Sequence, residues 1–466
     1  LAAQTALADG GVGWKTPNIV LESSTKEWSK VPEPFFQPGD PQPHPPTRDF
    51  RAALPRDNST VVVLIAALRE TRVVRTLRSL FESARLPDRV YAGVVQQNAA
   101  GDPDVLEELC RQLGTPLKLR KRFAGRERLH VRQDDDDEWG QGRFTEESLG
   151  GCRPARNVRV HRMDVSEAKG PAFARSRQPL LISDGEGLED FCMQIDAHTL
   201  FSPGWDDHMI HHWALADNEY AVLSTYPTSA DLMQQDGTLP NVNDHWEMPF
   251  LCDAALQQPG VVRNHQAGAA ANLDRPLLGK FWAAGLSFSR CHAERDVPND
   301  PGLEHVFDGE EFGRAVRLYT NGYDLYTMMR PVVGTFYGGA IKAKGGWTRR
   351  GDAGKRARDR LATLCRYSAG NLSAEALAEL KGFDLGSRRK LEDYIALTGI
   401  DTVNHKAKNT PCLVSRWTPW RSGADVDPPY AEILRGSPRR LGVDIAAQLG
   451  LQRRSRLAPP PPPAAL

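Results

Sequence analysis

Val61-Val62-Val63-Leu64-Ile65-Ala66-Ala67-Leu68 is an unbroken apolar run rich in β-branched residues. An alternating run would mark a strand with one wet face, so this one predicts a strand buried on both. Val73, Leu77, Leu80 and Phe81 then recur at helical spacing and stop before Pro87. Val90 to Val95 is a second apolar run. Strand, helix and strand at this spacing make a βαβ unit, hence a parallel sheet. Strand character resumes at Val158 to Met163, Gly170-Pro171 opens a helix from Ala172 to Leu181, and Phe191 to Ile195 is another buried strand with Asp196 at its carboxyl end. Residues 205–217 read as helix, 231–280 as a long loop region and Phe281 to Phe288 as a strand. Asp308 to Tyr319 is a helix by its acidic start and the spacing of Phe312, Val316 and Tyr319.

The pattern divides the chain. Residues 1–58 hold seven prolines between Pro32 and Pro46 with few aliphatic residues, and read as an irregular extension. Residues 59–345 form the α/β domain and 346–402 a helical subdomain. From 403 to 466 the pattern weakens and ends in the Pro459 to Pro463 tract.

Charge and cysteine content change this picture little. Lys+Arg and Asp+Glu both number 59, giving zero net charge; a nucleic-acid binder usually carries a basic excess. No apolar run approaches the length of a membrane span. The seven cysteines are odd in number and lack metal-type spacing, so each is expected as a small buried hydrophobe in a reduced, cytoplasmic protein. Residue 1 is Leu, which leaves open a segment upstream.

Open α/β sheets bind ligands at the carboxyl ends of their strands. Asp196 and His198 stand at such an end and alternate in position, so one face carries a carboxylate and an imidazole, a pair suited to Mn2+ or a similar ion. By spacing alone a strand-end turn is the commoner meaning of D-x-H. Arg69, after the first strand, and Arg175, on the Gly170-Pro171 helix, are candidates for phosphate or uridine contacts, or for ordinary surface ion pairs. Glu310 and Glu311 open a helix, where carboxylates serve either a sugar and acceptor or the helix dipole. His208, His211 and His212 share a helix face without a completing ligand, and Asp134 to Asp137 read as a solvated loop.

Taken together, these pieces resemble the polypeptide α-N-acetylglucosaminyltransferases that modify hydroxyproline on the adaptor subunit of SCF-type ubiquitin ligases. The resemblance rests on seven blocks in order. They are Ala66 to Glu70, Val158 to Ser176 (VRVHRMDVSEAKGPAFARS), Gln194 to Ile210 (QIDAHTLFSPGWDDHMI), Leu223 to Pro227, Phe281 to Ser289, Phe307 to Tyr326 (FDGEEFGRAVRLYTNGYDLY) and Leu385 to Asp401. It implies a GT-A fold, a mixed sheet with flanking helices and a C-terminal helical region. It further implies a UDP-GlcNAc donor, Mn2+ or Mg2+, a protein acceptor and retention of anomeric configuration. Asp196 and His198 would hold metal and diphosphate, Glu310 or Glu311 would contact sugar or acceptor, and Arg69, Gly170 and Arg175 would line the nucleotide site.

The chain departs from the family in the strand after the Glu310-Glu311 helix, where a His completes the metal site. Here that position falls on Thr335 or Phe336. Two protein ligands predict a metal held weakly by the free protein and tightly beside the nucleotide. The departure also opens a second reading, a noncatalytic relative that binds nucleotide-sugar or a protein partner.

Overall fold

The computed structural model describes residues 16–32, 59–115, 152–182, 189–239, 247–257, 261–265, 268–338, 351–367 and 374–421. The four-aspartate run lies outside them. The first apolar run is strand β1 (Val61–Leu68), and alternate residues do bury on opposite faces. Val61, Val63 and Ile65 join one hydrophobic cluster, and Val62 and Leu64 join another. Helix α1 (Val73–Glu82) leads to β2 (Val90–Asn98), which pairs in parallel with β1. Strand β3 (Val158–Asp164) adds to β2, again in parallel.

After β3 the chain turns through Gly170 into the short helix α2 (Pro171–Arg175). Gly170 has φ +98°, which a side chain would resist. A 3-10 turn, Gln178–Leu181, completes the stretch expected as one helix, because Pro179 interrupts the α pattern. Strand β4 (Phe191–Asp196) lies on the other side of β1, in parallel register, with Ala66 beside Asp196. Next come β5 (Thr199–Phe201), α3 (Trp205–Leu215), β6 (Ala221–Ser224), β7 (Leu286–Arg290), α4 (Glu310–Thr320), β8 (Asp324–Thr327) and β9 (Val333–Thr335).

The main sheet has eight strands, in the order Leu277–Leu278, β8, β6, β7, β4, β1, β2, β3. Strand β7 runs antiparallel between β4 and β6, so the sheet is mixed rather than all-parallel, as the GT-A resemblance implies. Helices α1 and α3 cover one face through Leu77, Leu80, Met209 and Trp213. Helix α4 belongs to a second cluster, with Phe281, Trp282, Leu361 and Tyr394.

Two expectations need correction. The region 231–280 holds five short strands between Glu247 and Leu278. Each has five residues or fewer, too short for a period to stand out. Within the stretch read as irregular, Ile19–Leu21 pairs antiparallel with Ala269–Ala271 and with Trp28–Lys30. The Glu22 carboxylate accepts from the backbone N–H groups of Cys412 and Leu413, each at 2.9 Å, tying this segment to the far end of the described chain.

The cysteine expectation also fails. Six of the seven are paired, Cys110–Cys152, Cys192–Cys291 and Cys252–Cys412, leaving Cys365 free and buried. Partners separated by 42, 99 and 160 residues leave no spacing signal in the sequence.

Candidate functional site

The carboxyl ends of β1 and β4 place Asp196 at the rim of the sheet, and the β4–β5 turn carries His198 beside it. Arg175, at the end of α2, reaches both sides of this rim. Its Nη2 donates to Asp196 Oδ1 at 3.1 Å and its Nη1 to Glu310 Oε1 at 2.8 Å. Three sequence candidates are therefore one ion triad. Burial works against the Arg175 charge, but Glu310 and then Asp196 outweigh it and raise its pKa above the ordinary arginine value. Opposite the carboxylate lies Gly285, where a Cβ would stand 3.3 Å from Asp196 Oδ2. Glycine leaves that oxygen room for a ligand.

Glu311 sits deeper than its place in a first turn suggests. Its Oε1 accepts from the Ala284 N–H at 2.9 Å, and its Oε2 from the Tyr226 hydroxyl at 2.8 Å and Asn264 Nδ2 at 3.2 Å. Burial raises its pKa, more than these donors lower it. The Tyr226 and Tyr337 hydroxyls are likewise pushed up, first by burial and then by nearby carboxylates, Glu311 for Tyr226 and Asp196 with Glu311 for Tyr337. Tyr337 donates to the Pro227 carbonyl at 2.6 Å.

His198 is oriented by Glu70, whose Oε2 lies 3.3 Å from Nδ1. That leaves Nε2 as the ring nitrogen available to a ligand. Arg72 grips the same carboxylate through Nε and Nη2 at 3.0 and 2.9 Å. Burial opposes the Glu70 charge, but hydrogen bonds from His198 and Arg72 hold its pKa down at about 2.

The departure strand reaches the site. Strand β9 pairs antiparallel with β5, Thr335 facing Thr199. One step further in that register sets Phe336 opposite His198, and the Phe336 N–H donates to the His198 carbonyl at 3.1 Å. Thr335 is buried, its hydroxyl 3.4 Å from that of Thr199. Phe336 therefore lies beside His198 on this strand, and its side chain has no donor atom. Among the described residues one group of three potential metal ligands occurs, Cys252, Asp253 and Cys412, and its cysteines form a disulfide.

Other candidates go elsewhere. Arg69, at φ +47° after β1, turns outward to pair with Asp102 through Nε at 2.7 Å. His208 meets Arg330 at 3.0 Å, whereas His212 is fully buried, with its pKa lowered to about 3 by burial. Along the helix His208 is half-buried, His211 exposed and His212 buried. Sequence reasoning missed Glu70, Tyr226, Asn264 and Tyr337, although Glu70 and Tyr226 lie inside quoted blocks.

Residues 60–404 match the family model described as Glycosyltransferase (GlcNAc). The chain belongs to this glycosyltransferase family. No curated protein matches it. Among solved structures it is similar to a crystal structure of GalNAc-T7 with UDP, GalNAc and Mn2+, at 12% identity and TM-score 0.45, over 75% of this chain and 58% of that one. It is also similar to S. aureus TarS 1-349 in complex with UDP-GlcNAc, at 10% identity and TM-score 0.35, over 70% of each chain. The chain thus spans 58% of the length of the first of these. Among the described residues no helix is long and apolar enough to cross a membrane.

Proposed function

We propose that this member of the family transfers GlcNAc from UDP-GlcNAc, with retention, to a protein hydroxyl. The observation that carries the reading is the Arg175 triad, which sets Asp196 and Glu310 around one cation at the carboxyl rim of the parallel strands. Asp196 and His198 are the residues to hold a divalent ion, through the open Oδ2 and Nε2. Such an ion, when bound, would offset charge on the leaving diphosphate. Gly170 lets α2 start close to the rim, bringing Arg175 within reach of it. Glu311, with its raised pKa, faces the sugar or acceptor side as a hydrogen-bonding group. Arg69, which turns outward to Asp102, reaches the nucleotide in this reading only by exchanging that partner.

The compartment turns on the cysteines. Three disulfides favour an oxidising environment over the cytoplasm. A hydroxyproline on a cytosolic ubiquitin-ligase adaptor, the acceptor suggested by the sequence resemblance, is correspondingly less favoured than a hydroxyl on a protein of the same oxidising compartment. One observation favours a noncatalytic relative instead: of Thr335 and Phe336, the two positions the resemblance offers for a third ligand, one carries only a buried hydroxyl and the other an aromatic ring.

UDP release from UDP-GlcNAc with Mn2+ separates the two. Turnover by the native chain, lowered by orders of magnitude in Asp196→Asn without loss of fold, supports the transferase. Tight UDP-GlcNAc binding with no turnover would establish the noncatalytic reading, and full turnover by Asp196→Asn would remove Asp196 from the chemistry.

A further inference from the structure

Two guanidiniums converge on the ring of Phe336. The Arg72 Cζ lies 5.7 Å from its centroid and the Arg75 Cζ 5.2 Å. Arg72 is partly neutralised by Glu70, and its Nη1 also donates to the Gly338 carbonyl at 3.2 Å. Arg75 is exposed, and among the described residues no carboxylate pairs with it. Like charges brought to one ring repel each other, and an exposed arginine gains little by staying there unless an anion joins them. The place suits an anion. Arg72 and Arg75 lie one turn apart at the start of the ten-residue helix α1, whose first N–H groups add partial positive charge. Glu70 connects Arg72 directly to His198.

We infer that Arg72 and Arg75 are the diphosphate clamp of this site, holding a nucleoside diphosphate by charge-assisted hydrogen bonds even without a divalent metal. The inference rests on the nucleotide-sugar reading above and deepens it. Guanidinium forks match phosphate oxygens two at a time. Arg75, with no carboxylate paired to it among the described residues, supplies the fork, and Arg72, fixed by Glu70 and Gly338, adds its charge and remaining N–H groups from beside it. Phe336 then has a role of its own, because its face braces the two cations where a histidine would repel them once protonated.

The test is UDP binding by calorimetry, in Mn2+ and again in EDTA. UDP should bind in both. Arg75→Ala and Arg72→Ala should each weaken binding in EDTA about tenfold, a typical loss for one charge-assisted contact. Arg78→Ala, which removes an equal charge from the same helix where it pairs with Glu82, should leave it unchanged. Arg75 is exposed, so its loss should leave the fold intact, as a thermal melt will show. UDP binding in Mn2+ that vanishes in EDTA would overturn the clamp and leave the nucleotide-sugar reading standing. Binding in EDTA indifferent to both arginines, or equally sensitive to Arg78, would also overturn it. No UDP binding in either buffer would take down both.

Discussion

Replacing Arg175 by Met keeps most of the side-chain volume and removes the cation from the triad. Its two partners differ. Glu310 is 4% exposed and Asp196 32% exposed, so the Glu310 pair is dry and the Asp196 pair is screened. Breaking a buried pair by deleting one member costs about 3–5 kcal/mol, because the remaining charge stays buried without its partner. The Asp196 side adds little at its exposure, on the order of 0–1 kcal/mol. With an unfolding entropy of about 2.1 cal/mol/K per residue over residues 60–404, the sum of about 3–6 kcal/mol lowers Tm by roughly 4–8 °C. Arg175→Met with Glu310→Met should recover most of that loss, since the orphaned carboxylate is then gone, while UDP-GlcNAc turnover stays low in both variants. Urea titration of the native chain, the two single variants and the double variant gives the coupling directly. A single variant within 1 kcal/mol of the native chain, or a double variant no better than the Arg175 single, would refute the claim that this ion pair holds the rim together.

Three other expectations follow from the same structure. Glu311 has a raised pKa, so the native chain should lose stability relative to Glu311→Gln as pH rises above the ordinary glutamate value of 4.5; a difference that stays flat from about pH 4 to 8 would contradict it. Glu70 has a depressed pKa, so its contribution, about 1–2 kcal/mol after solvent screening, should be present at neutral pH and fade between 4.5 and about 2, as a comparison of melts with Glu70→Gln would reveal. Removing the Cys192–Cys291 bridge, which closes 99 residues, should lower stability by up to about 4–5 kcal/mol on loop entropy, and free thiols at both positions in the purified native chain would refute the pairing.

The parallel half of the sheet was legible because its strands carry long apolar runs. Val61–Leu68, Val90–Asn98 and Phe191–Asp196 are buried along most of their length on both faces. The antiparallel additions were not legible, because the strands between Glu247 and Leu278 have two to five residues, too few for a period to stand out, whether their partner is a neighbour, as for Asp253–Gln257 and Val261–His265, or distant, as for Leu277–Leu278 and β8. Ile19–Leu21 is the extreme case, three residues whose pairing with Ala269–Ala271 spans the domain. The disulfides share this origin, since each joins segments that only the fold makes neighbours.

The site was legible as residue types and not as connections. Asp196, Arg175 and Glu310 could each be nominated from a strand end, a helix and a helix start. That one guanidinium binds both carboxylates follows from the ends of α2, β4 and α4 meeting, which no local spacing encodes. Parity was the other hidden quantity. Along a strand, neighbouring side chains face opposite ways, so choosing Thr335 or Phe336 as the missing ligand position needs the register against β5, and the sequence offers no register for a three-residue strand. With Thr335 fixed against Thr199, Phe336 falls beside His198, and its ring draws Arg72 and Arg75 over it. At that place beside His198, Phe336 offers no metal-binding atom but does offer a surface on which two cations are held.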